Sequence, residues 1–125
     1  DGGVLLYGGF AAEQFRDLWR WDGRAWLRLT DQGPTFTEGH VVAEAPAGIY
    51  IVGPGLTDAP TVRAWQWRDG AFHPTGGDGP RMRVGATATF DRTRRALIYW
   101  GGSDPAGTPS ETVQEFDGSR WRTIG

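Results

Sequence analysis

Tyr50-Ile51-Val52-Gly53-Pro54-Gly55, then Trp65-Gln66-Trp67-Arg68-Asp69-Gly70, then Phe72, is a phrase that the chain writes three times. An apolar run ends in glycine, an aromatic or apolar alternation closes on Asp-Gly, and one more aromatic follows. The upstream copy is Leu5-Leu6-Tyr7-Gly8-Gly9, Leu18-Trp19-Arg20-Trp21-Asp22-Gly23 and Trp26. The downstream copy is Leu97-Ile98-Tyr99-Trp100-Gly101-Gly102, Val113-Gln114-Glu115-Phe116-Asp117-Gly118 and Trp121. Gly8 to Gly53 spans 45 positions and Gly53 to Gly101 spans 48, while Trp21 to Trp67 is 46 and Phe116 lies 49 further on.

A period in the forties built from short strands is the signature of a propeller blade. With the strands of each copy written A to D, the second copy predicts A at 40–46, B at 48–53, C at 61–68 and D at 71–75. The third predicts A at 84–90, B at 95–100, C at 111–116 and D at 120–124, and the first only B at 4–8, C at 17–22 and D at 25–30. The turns carry their own chemistry. Asp22-Gly23, Asp69-Gly70 and Asp117-Gly118 suit tight C to D hairpins, and Ala45-Pro46-Ala47-Gly48 and Asp91-Arg92-Thr93-Arg94 join A to B. Each copy thus reads as an antiparallel meander. The glycines ending strand B let the backbone turn and a neighbouring aromatic lie against it. Trp26, Phe72 and Trp121 on strand D are the expected neighbours and the expected basis of blade-to-blade packing.

Composition agrees. Twenty Gly, eight Pro and seven Trp in 125 residues suit many short strands and tight turns, with helix nearly absent. Thirteen basic against fifteen acidic residues leave no footprint for nucleic acid or an anionic membrane. Every basic residue other than histidine is arginine, which removes Schiff-base lysine chemistry and a phosphate-loop lysine. The absence of cysteine removes disulfides, a thiolate nucleophile and a cysteine-based zinc site. No stretch reaches the roughly 18 apolar residues of a membrane span, and the compartment stays open.

Pro80-Arg81-Met82-Arg83-Val84-Gly85-Ala86, Phe90-Asp91, Tyr99-Trp100-Gly101-Gly102, Phe116-Asp117-Gly118 and Trp121 together resemble a kelch repeat of the bacterial type. Glu38-Gly39-His40 and Asp17-Leu18-Trp19-Arg20-Trp21-Asp22 carry parts of the same pattern in the other copies. The resemblance implies an all-β, kelch-type β-propeller segment of about three four-stranded antiparallel blades, the first lacking its innermost strand, in an incomplete ring. Blade one covers about 1–32, blade two 33–76 and blade three 77–125. Kelch proteins close into rings of five to seven blades. The chain is therefore expected to be a portion of a longer propeller, ahead of two alternatives: pairing with another copy, or an open array covered by a partner. In isolation it is expected to self-associate or aggregate through its unpaired edge. The copper radical oxidases of the kelch group need a cysteine, so that activity is excluded for this segment.

Function is sought on the face carrying the long B to C and D to A connections, 10–16, 31–39, 55–60, 75–83 and 103–110, because long loops on a rigid scaffold carry binding residues. Arg81 and Arg83 alternate by two, so both can point to one side and grip a carboxylate, a phosphate or an acidic side chain. The resemblance implies acidic peptide segments as the partners of such arginines; surface solvation, or pairing with Asp78 and Asp104, is the alternative. Glu38 and His40 are the orienting neighbours, and Arg16 and Asp104 complete the candidate face. His40 and His73 have no metal-ligand spacing, Ser103, Ser110 and Ser119 lie in no nucleophile elbow, and the Gly76–Gly79 run is followed by no helix. Neither metal nor cofactor is expected. The leading expectation is a non-catalytic module binding a protein or peptide partner. The alternatives are a sugar-binding or sugar-isomerising propeller, whose carboxylates would include Glu13, Asp31, Glu38 and Asp104, or a structural blade set of a larger enzyme.

Overall fold

A computed structural model of the chain describes residues 2–35, 39–54 and 61–125. They contain eleven strands and no helix, in three antiparallel sheets. The first sheet is β1 (Val4–Tyr7), β2 (Leu18–Trp21) and β3 (Trp26–Thr30), in that order. The second is β4 (Val41–Ala45), β5 (Gly48–Pro54), β6 (Val62–Arg68) and β7 (Ala71–Pro74), and the third is β8 (Val84–Asp91), β9 (Ala96–Ser103), β10 (Val113–Phe116) and β11 (Trp121–Thr123). All three are meanders in which strands adjacent in sequence are adjacent in space.

Turn residues fix the registers. Asp69 and Gly70 both take positive φ, 53° and 76°, the pair of left-handed angles a two-residue hairpin requires. At the equivalent turns the aspartate acts through its side chain instead. Asp22 Oδ1 accepts from the Arg24 and Ala25 amides at 2.8 and 2.9 Å, and Asp117 Oδ1 accepts from Ser119 and Arg120 at 2.8 and 2.9 Å. These bonds hold both carboxyls below the ordinary aspartate value. In the β4–β5 turn Ala45 pairs with Gly48, whose φ of 142° brings it against the Trp67 carbonyl so closely that a Cβ has no room.

Side-chain alternation then sorts each sheet into two faces. Leu5, Tyr7, Leu18 and Leu29 of the first sheet pack on Ile49, Ile51, Trp65, Trp67 and Phe72 of the second. Ala43, Ala45, Tyr50, Val52, Val62 and Ala64, on the second sheet's other face, pack on Ala86, Leu97, Tyr99 and Phe116 of the third. Leu18, Ile51, Val52 and Leu97 are wholly inaccessible, and burying a side chain of this size contributes about 1.5–3 kcal/mol. The Tyr7 hydroxyl donates to the Pro34 carbonyl, tying the β3–β4 connection to the first junction, and burial pushes its phenol far above the ordinary value.

Two of the three D-strand aromatics do what the repeat predicts. Phe72 lies 5.4 Å from the Tyr7 ring across the first junction, and Trp121 packs against the core cluster shared by the second and third sheets. Trp26 does not join them: it is 46 % exposed, and its ring lies 5.5 Å from that of Trp21 in its own sheet. Gly8 and Gly102, at the ends of B strands, have other neighbours than these aromatics. A Cβ on Gly8 would meet His40 at 3.1 Å, and one on Gly102 would meet the Ala86 and Val84 backbone at 2.7 Å.

Candidate functional site

In each meander the long connections leave from one end and the tight turns from the other. Contacts between connections show that these ends share a side of the molecule. Gly33 N donates to Arg16 O at 2.9 Å, linking the β1–β2 loop to the β3–β4 connection, and Thr61 bridges Arg81 across the second and third sheets.

Most of the sequence-selected residues are spent on holding this surface together. Arg83 donates through both terminal nitrogens to Thr112, to the carbonyl at 3.2 Å and to Oγ1 at 2.5 Å, and its guanidinium carbon lies 5.9 Å from the Tyr99 ring. It clamps the start of β8 to the β9–β10 loop. Arg16 donates to Gln32 Oε1 at 2.8 Å and to the Asp31 carbonyl at 3.4 Å. The Asp104 carboxylate accepts from the Thr108 amide at 2.9 Å, closing its own loop. His40 lies over Gly8, its Nε2 3.3 Å from the Tyr7 carbonyl and its ring edge-on to Tyr7 at 5.4 Å, where it packs at the first junction. Glu38 lies outside the described residues.

Arg81 differs from these. It is exposed, its backbone is pinned by the bridge to Thr61, and its guanidinium has no hydrogen bond or ion pair with another described residue. Asp78 is not its partner, being engaged by Arg63 at 2.9 Å. Alternation places Arg81 and Arg83 together; in the structure Arg83 is bonded to Thr112, and Arg81 has no such side-chain bond among the described residues.

Two residues on this surface escaped the sequence reading. Phe10 is 80 % exposed and Phe15 45 %, both on the β1–β2 loop. That loop is closed by its own backbone, with Phe15 N donating to Gly9 O at 2.9 Å, Gly8 N to Asp17 O at 3.1 Å and Ala11 N to Glu13 O at 3.0 Å. Apolar residues inside a strand-to-strand connection, Gly9-Phe10-Ala11-Ala12, were the available signal.

A second concavity lies away from this surface. A cleft of about 870 Å³ opens between β1 and β4, lined by Leu5, Arg20, Leu29, Val42, Glu44 and Trp67 among others. In the other two sheets β4 and β8 are edge strands, paired with β5 and β9; in the first, β1 pairs only with β2 among the described residues. No cluster of three or more metal-ligating side chains occurs among the described residues. No family model matches the chain, and no curated protein matches it in sequence.

Proposed function

We propose that the chain is a kelch-like propeller segment acting as a non-catalytic interaction module, which takes a protein or peptide partner on its long-loop face. The observation that carries this reading is Phe10, a large apolar side chain held almost fully in solvent on a loop that is internally hydrogen-bonded. Presenting such a group without local collapse is the arrangement of a preformed contact residue. Phe15 extends the apolar contact, and the unpaired Arg81 guanidinium on the same surface supplies a group for a carboxylate. The partner chemistry that fits is an acidic segment with an apolar or aromatic residue. The supports for propeller architecture are the three in-register repeats and the face-to-face packing of their sheets.

The test is selection of a displayed random peptide library on the immobilised chain. Enriched peptides are expected to combine acidic and aromatic positions and to lose binding to a Phe10→Ala/Arg81→Ala double variant while keeping it for Arg92→Ala, on the tight-turn side. Peptides that bind both variants alike would assign the contact to another surface.

A further inference from the structure

Three equivalent rows of side chains run across the three sheets, each set by strand register: Val4/Trp21/Trp26, Ile49/Trp67/Phe72 and Leu97/Phe116/Trp121. The second row lies under the first sheet and the third under the second sheet. Their environments follow. Ile49 is 5 % exposed and Leu97 and Phe116 are 0 and 1 % exposed, whereas Val4 is 58 % and Trp26 46 % exposed, with Leu6 beside them at 53 %. The first sheet therefore presents to solvent the same face that its two neighbours bury.

The covering half of this junction is also repeated. On the second sheet it is Tyr50 and Val52, with Ala43 paired to Tyr50 and Ala64 to Val52. Counting from the shared B-strand glycine, the third-sheet equivalents are Ile98 and Trp100, with Thr89 and Val113 in the paired positions. They point away from the second sheet, and Trp100 is 39 % exposed. The charged groups of this face are balanced among themselves. Glu115, opposite Ile98, binds Arg94 at 3.2 Å and Arg122 at 2.5 Å, and Arg94 lies 3.6 Å from Asp91. Two arginines against two carboxylates leave no net charge to repel Arg28, which lies over the Trp19 ring of the first-sheet face.

We infer that these two faces are the halves of one joint, and that a second copy of this chain docks its third sheet on the first sheet of its neighbour, head to tail. The apolar area on both sides is the driving force. The occupant is argued from continuity with the two junctions already present within the chain, which pair the same positions. Because the contact is heterologous, a docked pair keeps one free head on one copy and one free tail on the other, so it can close on itself or take up further copies as an open stack. The inference is independent of the loop-face reading, since neither Phe10 nor Arg81 contributes.

The test uses the whole chain and two single variants, Leu6→Arg at the head and Trp100→Arg at the tail, measured by sedimentation velocity over a wide concentration range. Wild type is expected to run at twice the monomer mass or more, and each variant alone as a monomer. An equimolar mixture of the two is expected to form a one-to-one heterodimer, because it contains one intact head and one intact tail. Wild type that remains monomeric overturns the inference. So does Trp100→Arg that still dimerises, which would place head against head. Circular dichroism checks each fold, and Val4→Glu and Thr87→Arg, at neighbouring exposed positions, replace either variant that fails to fold.

Discussion

Glu115 is the buried charge of the third sheet, its side chain 5 % exposed under Arg94 and Arg122, which are themselves 53 % and 65 % exposed. The asymmetry decides what each substitution costs. Removing the carboxylate leaves two guanidinia that water already reaches, so Glu115→Gln loses charge-assisted hydrogen bonds of 2.7 and 3.2 Å and little else, about 1–2 kcal/mol. Removing the arginine charges while keeping their stems, as in Arg94→Met/Arg122→Met, leaves a carboxylate covered and unpaired, about 3–5 kcal/mol. Arg94→Ala/Arg122→Ala falls between, because truncation opens the carboxylate to water. Urea denaturation at neutral pH, with unchanged m-values as the check on a common unfolded state, measures all three. The order expected is Met pair, then Ala pair, then Gln. If Glu115→Gln is the most destabilising, the argument from desolvation is wrong and the cluster acts through geometry alone.

Three further outcomes follow from the fold. Gly48→Ala forces a Cβ onto the Trp67 carbonyl at a φ of 142°, whereas Gly70→Ala at 76° meets nothing within 4 Å; the first should cost more than about 2 kcal/mol and the second about 1 in thermal unfolding. Arg83→Ala, which unties Thr112 and the Tyr99 ring, should lower stability by about 1 kcal/mol, and a neutral result would return Arg83 to the binding face. Asp22 and Asp117 have folded-state carboxyls below the ordinary 3.8, so their contribution is present above that value and is lost as pH falls through the lower folded value. Asn at both positions keeps the turn acceptors without the charge, and should lessen the acid dependence of unfolding in that window relative to wild type.

The strands were legible because each is written in residue chemistry: Gly-ended apolar runs, alternating aromatics and Asp-Gly turns put every observed strand within three residues of its expected bounds at either end. The site was less so. Alternation put Arg81 and Arg83 on one side of an extended segment, but the segment before β8 is not a regular strand: Arg81 belongs to a bridge with Thr61, and β8 begins at Val84. Which of two similar arginines is free depends on where Thr112 arrives, a contact across 29 residues that no local pattern encodes. Sequence offers His40 as an orienting neighbour by its place at a strand start; it gives no sign that the ring packs on Gly8 and Tyr7 from another repeat.

The repeat also misleads where it is most regular, because equivalent positions receive unequal cover. Phe72 and Trp26 close the same row in successive sheets, and by sequence both are core. Phe72 is half-buried between Tyr7 at 5.4 Å and Trp67 at 4.9 Å, at a junction between two sheets, while Trp26 is 46 % exposed and pairs with Trp21 of its own sheet. In a chain kept monomeric by Trp100→Arg, Phe72→Ala should cost about 2 kcal/mol, less than the 3–5 of a wholly buried phenylalanine, and Trp26→Ala under about 1. In the wild-type chain the second value should rise with protein concentration, because association converts Trp26 from a surface residue into a joint residue. Equal costs for the two in the monomeric background would mean that Trp26 stabilises its own sheet as much as Phe72 stabilises a junction. Residue identity, and not cover, would then set the energetics of the row.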